Sequence, residues 1–362
     1  MTRLNDNAVH SIARPVRGRC YLNDREMTGW IAMEVDNNAF LSADTFRVVF
    51  ARASLPEGYD IDWFSRQTVF RVEVQFDDGT GLRSFALGNA DTLVYDPVAG
   101  TLTLEGRDLT SLLADTKISR KWQNLTASQI AAEIARAHDL TPRVAETRTR
   151  AGSYYQIDHV QLQDEMSEWD LLTYLARREE FACFVSGREL HFAPMPAPGG
   201  ADVYRIDWSD AQSGPVCAVR TLAFERALSV SRGIEVSVSS FNVKQKNGFT
   251  VTHPEPKGKK DGAGGGASQY RFTYPNLTRD AARRKAVALY DEIARHEMKL
   301  EATLPGDNLL MPDVLIEVAG TASDFDQTYY VDSIRRSLDV EGGYLMSVSA
   351  KNRNPATEGG QA

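Results

Sequence analysis

Residues 106–140, GRDLTSLLADTKISRKWQNLTASQIAAEIARAHDL, form the clearest helical block in the sequence and divide two stretches that read as sheet. A chain so arranged is neither a helical bundle nor a regular alternation of strand and helix. Leu109, Leu112 and Leu113 put an apolar stripe on a short helix with Asp108 as its expected N-cap. Thr126 and Gln129 have the spacing of a capping box, and Leu125 with Ile130 that of a hydrophobic staple. Ile130 and Ile134 share the inward face of this second helix, which Pro142 stops from continuing. No residue of the block has the spacing of a catalytic or metal constellation, so its role reads as architectural.

Upstream, Phe70, Val72, Val74 and Phe76 alternate with Arg71, Glu73, Gln75 and Asp77, the period of a half-buried strand over 68–77. Asp77-Asp78-Gly79 turns the chain. Trp30 to Val35, Phe46 to Ala51, Thr92 to Tyr95 and Thr101 to Glu105 are further strands, the last two joined by a turn at Pro97 to Gly100. Downstream of the block, Ser153 to Val160 reads as extended. A third helix starts at Ser167, capped with Asp170 and stapled by Met166 and Leu171, with Trp169, Leu172, Leu175 and Ala176 on its buried stripe. A hairpin of Phe181 to Val185 and Glu189 to Phe192 turns at Ser186-Gly187-Arg188. PMPAPGG, residues 194–200, reads as a linker.

From residue 201 the pattern returns to sheet, with Ile234, Val236 and Val238, then Val314, Ile316 and Val318, then Tyr344, Met346 and Val348 on alternating faces. One helix interrupts, capped by Thr278 and carrying Ala282, Ala286, Leu289 and Ile293 on one face as far as Glu297. Residues 253–269 have the composition of a mobile loop. The expected division is therefore a β region over 1–105, a helix-rich middle with a hairpin over 106–200, a second β region over 201–352, and a polar tail over 353–362. The fold class is α+β, mostly β.

Composition excludes several functions. Among 362 residues, 42% are hydrophobic and 25% charged, the balance of an ordered globular chain. No apolar run nears the ~20 residues of a membrane helix, so stable membrane insertion is not expected. MTRLNDNAVHSIARP lacks the apolar core of a signal peptide. Cys20, Cys183 and Cys217 are odd in number and far apart, as suits reduced thiols. A net charge of −8 disfavours nucleic-acid capture, yet suits a surface past which DNA slides without sticking.

The chemical motifs are correspondingly bare. Gly262, Gly264 and Ala267 spell G-x-G-x-x-A, but in a Lys- and Gly-rich loop instead of a strand-to-helix turn. His10, His138, His159, His191, His253 and His296 are dispersed, and none is paired at helical spacing with another metal-type ligand. Glu165, Glu168 and Asp170 form the densest acidic cluster; two glycosidase carboxylates could come from it, but acids in a helix's first turn are what its dipole favours. The N-x-T sequons at Asn124 and Asn276 supply capping threonines. Lys257, Lys259 and Lys260 read as a solvated run, and Trp30, Trp63, Trp122, Trp169 and Trp208 as core or interface anchors. No catalytic, cofactor-binding or metal-binding residue is assigned, no cofactor is expected, and the chain reads as a non-enzyme.

Three stretches resemble the baseplate hub proteins of contractile phage tails, the late control protein D family, which is similar to the hub part of type VI secretion spike proteins. The first is LEGRDLTSLLADTKISRKWQNLTASQIAAEIARAHDL, Leu104 to Leu140. The second is SEWDLLTYLARREEFACFVSGRELHF, Ser167 to Phe192. The third joins LPGDNLLMPDVLIEVAG to YYVDSIRRSLDVEGGYLMSVSAKN near the end. The resemblance implies two tail-tube-like antiparallel β-barrel domains with a smaller helix-containing middle region. It implies a homotrimer that adapts a sixfold tail tube to a threefold central spike and lines a channel for DNA. The partners it implies are the central spike protein, the tail tube or tube-initiator protein, the tape-measure protein and baseplate wedge proteins, with genomic DNA met only in passage. The implied location is the tail baseplate of a virion assembled in the host cytoplasm. Because no long β-helix follows, the piercing tip is expected to be a separate protein. A tail-associated peptidoglycan hydrolase or cell-wall-binding protein is the alternative.

Overall fold

Buried and exposed side chains alternate along most strands of the computed structural model, as in 71–77, where Val72, Val74 and Phe76 are buried and their neighbours partly exposed. It describes residues 4–5, 15–39, 41–117, 122, 124–148, 166–179, 181–194, 202–211, 214–217, 219–231, 233–242, 247–254, 268–274, 277–294 and 297–352. The first region contains β1 (Arg17–Leu22), β2 (Arg25–Met27), β3 (Trp30–Asn38), β4 (Thr45–Ala51), α1 (Ile61–Arg66), β5 (Arg71–Asp77), β6 (Leu82–Asp96) and β7 (Thr101–Asp108). The middle contains α2 (Thr110–Asp115), α3 (Ala127–Ala137), β8 (Thr141–Val144), α4 (Glu168–Glu179), β9 (Phe181–Ser186) and β10 (Glu189–Pro194).

The last region opens with β11 (Val203–Ala211), β12 (Gly214–Cys217), β13 (Thr221–Arg226) and α5 (Leu228–Ser231). Then come β14 (Ile234–Asn242), β15 (Asn247–His253), β16 (Ser268–Thr273) and α6 (Arg279–Ala294). It closes with β17 (Met298–Pro305), β18 (Leu315–Ala319), β19 (Thr328–Asp339) and β20 (Gly343–Lys351).

Hydrogen bonding reveals a repeat that the residues themselves do not show. The 14-stranded sheet resolves into β2-β1-β5-β6-β7-β4-β3 and β12-β11-β18-β19-β20-β17-β13, two sets of seven strands in the same spatial and chain order. They differ in that β1 runs antiparallel to β5 whereas β11 runs parallel to β18, and in that the second set carries α5 to α6 between β13 and β17. Each set packs on a core of its own, with Leu338 of β19 and Tyr344 of β20 reaching into that of the first set. Cys20, Met27, Val35, Val48, Val74, Phe85 and Leu104 share one cluster; Tyr204, Leu300, Ile316, Ile334 and Val348 are in the other, with Cys217 and Phe224 against it. The fold is thus mostly β with antiparallel sheets.

Several sequence expectations are refined by packing. Asp108 ends β7 instead of capping a helix outright, although its carboxylate still accepts the Thr110 N–H at 3.1 Å. The box at Thr126 and Gln129 forms with both bonds present. Ser167 and Asp170 cap α4 reciprocally, and Leu171, Leu172, Leu175 and Ala176 form its buried face with Trp169 at the margin. The strand of Ile234, Val236 and Val238 lies outside the large sheet, in a three-stranded sheet β15-β14-β16 covered by α6. Residues 253, 268 and 269 of the expected loop belong to β15 and β16, and Glu297 lies outside α6. The expectations for Ser153 to Val160, for 195–200 of the linker and for 353–362 fall outside the described residues.

Candidate functional site

The distinctive feature is the seam at which the two strand sets meet. β3 pairs antiparallel with β19 from Ser333 opposite Asn38 to Asp339 opposite Ala32, making one sheet of both. Alternation along β19 sends Arg335 outward and puts Arg336 on the inward row with Ile334 and Leu338.

On the outer face, Arg335 grips Asp36 through two bonds of 2.6 and 3.0 Å, and Arg47 pairs with Glu105 at 3.0 Å. Arg107 bridges Asp91, at 2.8 Å twice, and Asp115 at 3.0 and 3.2 Å, and these bonds raise its pKa. The pairs border a concavity of about 450 Å³ crossed by β19, β3, β4, β7 and β6. Ions so exposed stabilise little; of these pairs Arg335–Asp36 spans the seam and supports its register.

Inside, Arg336 is fully buried. It donates to Asn37 Oδ1 at 2.7 Å and to the Leu310 carbonyl, and its guanidinium carbon stands 4.2 Å from the centre of the Phe85 ring. Burial lowers its pKa from the ordinary value. Asn37 passes the contact on, donating to Asp44 Oδ2 at 2.7 Å and to the Phe85 carbonyl at 2.9 Å. Desolvation pushes Asp44 up to about 6 and Asp108 to about 8, the latter raised further by the facing charge of Asp44.

The segment after β17 latches the same junction. Asn308 donates to the Phe76 and Gly81 carbonyls at 3.1 and 3.0 Å, its N–H reaches Asp78 Oδ2 at 2.9 Å, and Arg83 donates to its carbonyl at 2.8 Å. Asp307 accepts the Tyr204 hydroxyl at 2.7 Å and the Leu309 and Leu310 N–H groups at 2.9 and 3.1 Å. Gly306 lies so close to Tyr344 that a Cβ there would stand 2.3 Å from the ring. The Pro-Gly turn of LPGDNLLMPD is therefore a plug that one strand set inserts into the β5–β6 hairpin of the other.

The residues weighed for chemistry are engaged otherwise. Glu168 bonds His138 at 2.5 Å, tying the start of α4 to the end of α3, and the Ser167 bonds that cap α4 lower the pKa of Asp170. Burial pushes the Cys20 thiol up to about 12 and raises that of Cys183 as well. Glu165, Lys257, Lys259, Lys260, Gly262, Gly264 and Ala267 lie outside the described residues. Among the described residues no group of three His, Cys, Asp or Glu side chains could hold a metal ion, and no helix is long and apolar enough to cross a membrane. Sequence reading passed over Arg336. Its signal was present, since a period of two through Ile334 and Leu338 puts the second residue of the Arg335-Arg336 pair on the apolar row.

The fold resembles that of a tail protein from Neisseria meningitidis MC58, with TM-score 0.68 and 15% identity over 93% of this chain and 96% of that one. It resembles equally the 43 kDa tail protein of prophage MuSo2 from Shewanella oneidensis, with TM-score 0.66 and 15% identity over 94% and 99% of the two chains. An E. coli type VI secretion component, itself described as similar to T4 tail proteins gp27 and gp5, follows with TM-score 0.54 and 12% identity over 93% and 78%. Comparison with curated proteins finds none that matches in sequence. The chain belongs to the phage tail baseplate hub (GPD) family, whose model matches residues 90–339. That family is one of structural tail components.

Proposed function

We propose that this hub assembles as a homotrimer in the tail baseplate, adapts a sixfold tube to a threefold spike, and encloses the channel through which DNA leaves. One observation carries the reading. Within the chain, β3 of the first set pairs with the distal half of β19 in the second. The counterpart of β3 is β13, and the counterpart of that half of β19 is residues 91–96 of β6. Among the described residues neither has a strand on its outer side. The joint made once inside the chain is therefore left half-made at each end of it. A neighbouring copy completes both, and unpaired strands of this kind are otherwise a hazard for aggregation.

The regions 1–105 and 201–352 then serve as two tube-like modules, so that three chains supply six, while 106–200 sits outside the repeat. The spike, the tube or its initiator, the tape-measure protein and the wedge proteins are the partners this assembly would contact. The negative net charge suits a wall that lets DNA pass. Assembly belongs in the host cytoplasm. The deciding measurement is solution mass. Three 40.2 kDa chains should sediment together, with amide exchange over 91–96 and 221–226 slowing as they associate. A monomer at all concentrations sinks the proposal.

A further inference from the structure

Residues at the chain's own N-terminus sit where a strand would. β11 is flanked on one side by β18 along Val203–Asp207, but on its other side β12 covers it only from Trp208 to Ala211. Beside the uncovered length, the Leu4 N–H donates to the Val203 carbonyl at 2.9 Å. Asn5 Nδ2 donates to the Arg205 carbonyl at 2.7 Å, and Asn5 Oδ1 accepts the Arg205 N–H at 2.9 Å. One side-chain amide thus takes both main-chain groups of Arg205, as a paired strand residue does. Leu4 packs against the core of the second set. First residues of a chain are commonly frayed, and these two are instead tied down by three hydrogen bonds and a core contact.

What they cover is a place for a strand. Val203 and Arg205 turn main-chain groups to this side, and strand alternation brings those of Asp207 to it as well. Tyr204 and Ile206 are buried on the inward row. Arg205 and Asp207 project outward, with Arg205 Nε 2.6 Å from Asp207 Oδ1.

This edge is complementary to itself. A second β11 laid antiparallel about Ile206 sets Arg205 opposite the partner's Asp207 and Asp207 opposite the partner's Arg205, so both outward pairs join opposite charges. Ile206 meets the partner's Ile206, and the two inward rows run on as one. The contact is isologous and closes on itself as a twofold. A bare edge of this kind is a template for unwanted pairing.

We infer that Leu4 and Asn5 are an edge guard: they fill a strand-accepting slot on β11 that otherwise takes β11 of a second copy, antiparallel about Ile206. This goes beyond the trimeric reading. With β11 shut, association is left to β13 and to residues 91–96 of β6.

The test uses the full chain with Leu4→Asp and Asn5→Ala, and reads sedimentation mass relative to the parent chain under the same conditions. The variant should assemble at twice the parent's mass. The synthetic peptide MTRLNDNAV, residues 1–9, should refill the slot and reverse the doubling. Arg205→Asp added to the variant sets like charges opposite one another and should abolish the doubling, and Asp207→Arg added to that should restore it. No doubling, doubling that the peptide leaves unchanged, or doubling indifferent to Arg205→Asp overturns the assignment. If the double variant loses the parent's melting transition, Asn5→Ala alone carries the test, since it removes both Arg205 bonds and leaves Leu4 in the core; a smaller doubled fraction is then expected, and none overturns the guard. Because the readout is a ratio to the parent, a parent that stays monomeric sinks the trimeric hub without deciding this inference, and a trimeric parent whose variant never doubles does the reverse.

Discussion

Arg336 donates to Asn37 Oδ1 at 2.7 Å across 299 positions of chain, and this buried bond lies at the centre of the seam between the strand sets. A cation so placed has neutral partners, with Asp44 one step removed through Asn37. Its removal leaves a cavity and the orphaned acceptors Asn37 Oδ1 and Leu310 O. Arg336→Ala is expected to lower stability by about 3–5 kcal/mol in urea melts. Arg336→Lys should recover only part, because an ammonium lacks the planar fork that reaches both acceptors.

The carboxyls beside the seam predict an unusual pH dependence. Asp44, at about 6, and Asp108, at about 8, bind protons more tightly folded than unfolded. Their contribution is thus complete below the ordinary carboxylate range, near pH 4, and is lost as pH rises through about 6 and then about 8. Asp108→Asn keeps an acceptor for the Thr110 N–H and cannot ionise. The variant should gain on the parent chain steadily from pH 5 to about pH 8 in denaturant midpoints and level off above that. A constant difference across that range would refute the assignment.

The plug at 306–311 should behave as a latch. Asn308→Ala strands the Phe76 and Gly81 carbonyls, and Asn308 is itself 6% exposed. A loss of about 2–3 kcal/mol is expected. Native-state hydrogen exchange should show faster opening in residues 76–85 than in the β8-β10-β9 sheet, which packs in a separate core.

Glu168 separates scaffold from hydrolase. Its 2.5 Å bond to His138 makes it a tie between α3 and α4. Glu168→Ala should loosen that helix pair, seen as a lower melting temperature, and purified peptidoglycan should be turned over by neither the parent chain nor the variant. Turnover by the parent that disappears in the variant would revive the wall-degrading alternative.

The sequence by itself determined what depends on neighbours within a few residues. The Thr126 box, the Ser167–Asp170 cap, the alternation of Val72, Val74 and Phe76, and the hairpin turning at Gly187 are legible because capping bonds and side-chain period are local. The resemblance in Leu104 to Leu140 and in Ser167 to Phe192 rests on such signals. Only the tertiary structure decided that two sets of seven strands repeat each other, because strand order is a property of long-range hydrogen bonding that unlike side chains satisfy equally well. It decided too that Arg336 meets Asn37 and that Asn308 plugs a distant hairpin. Those contacts join residues hundreds of positions apart, and nothing in the spacing of either partner encodes the other.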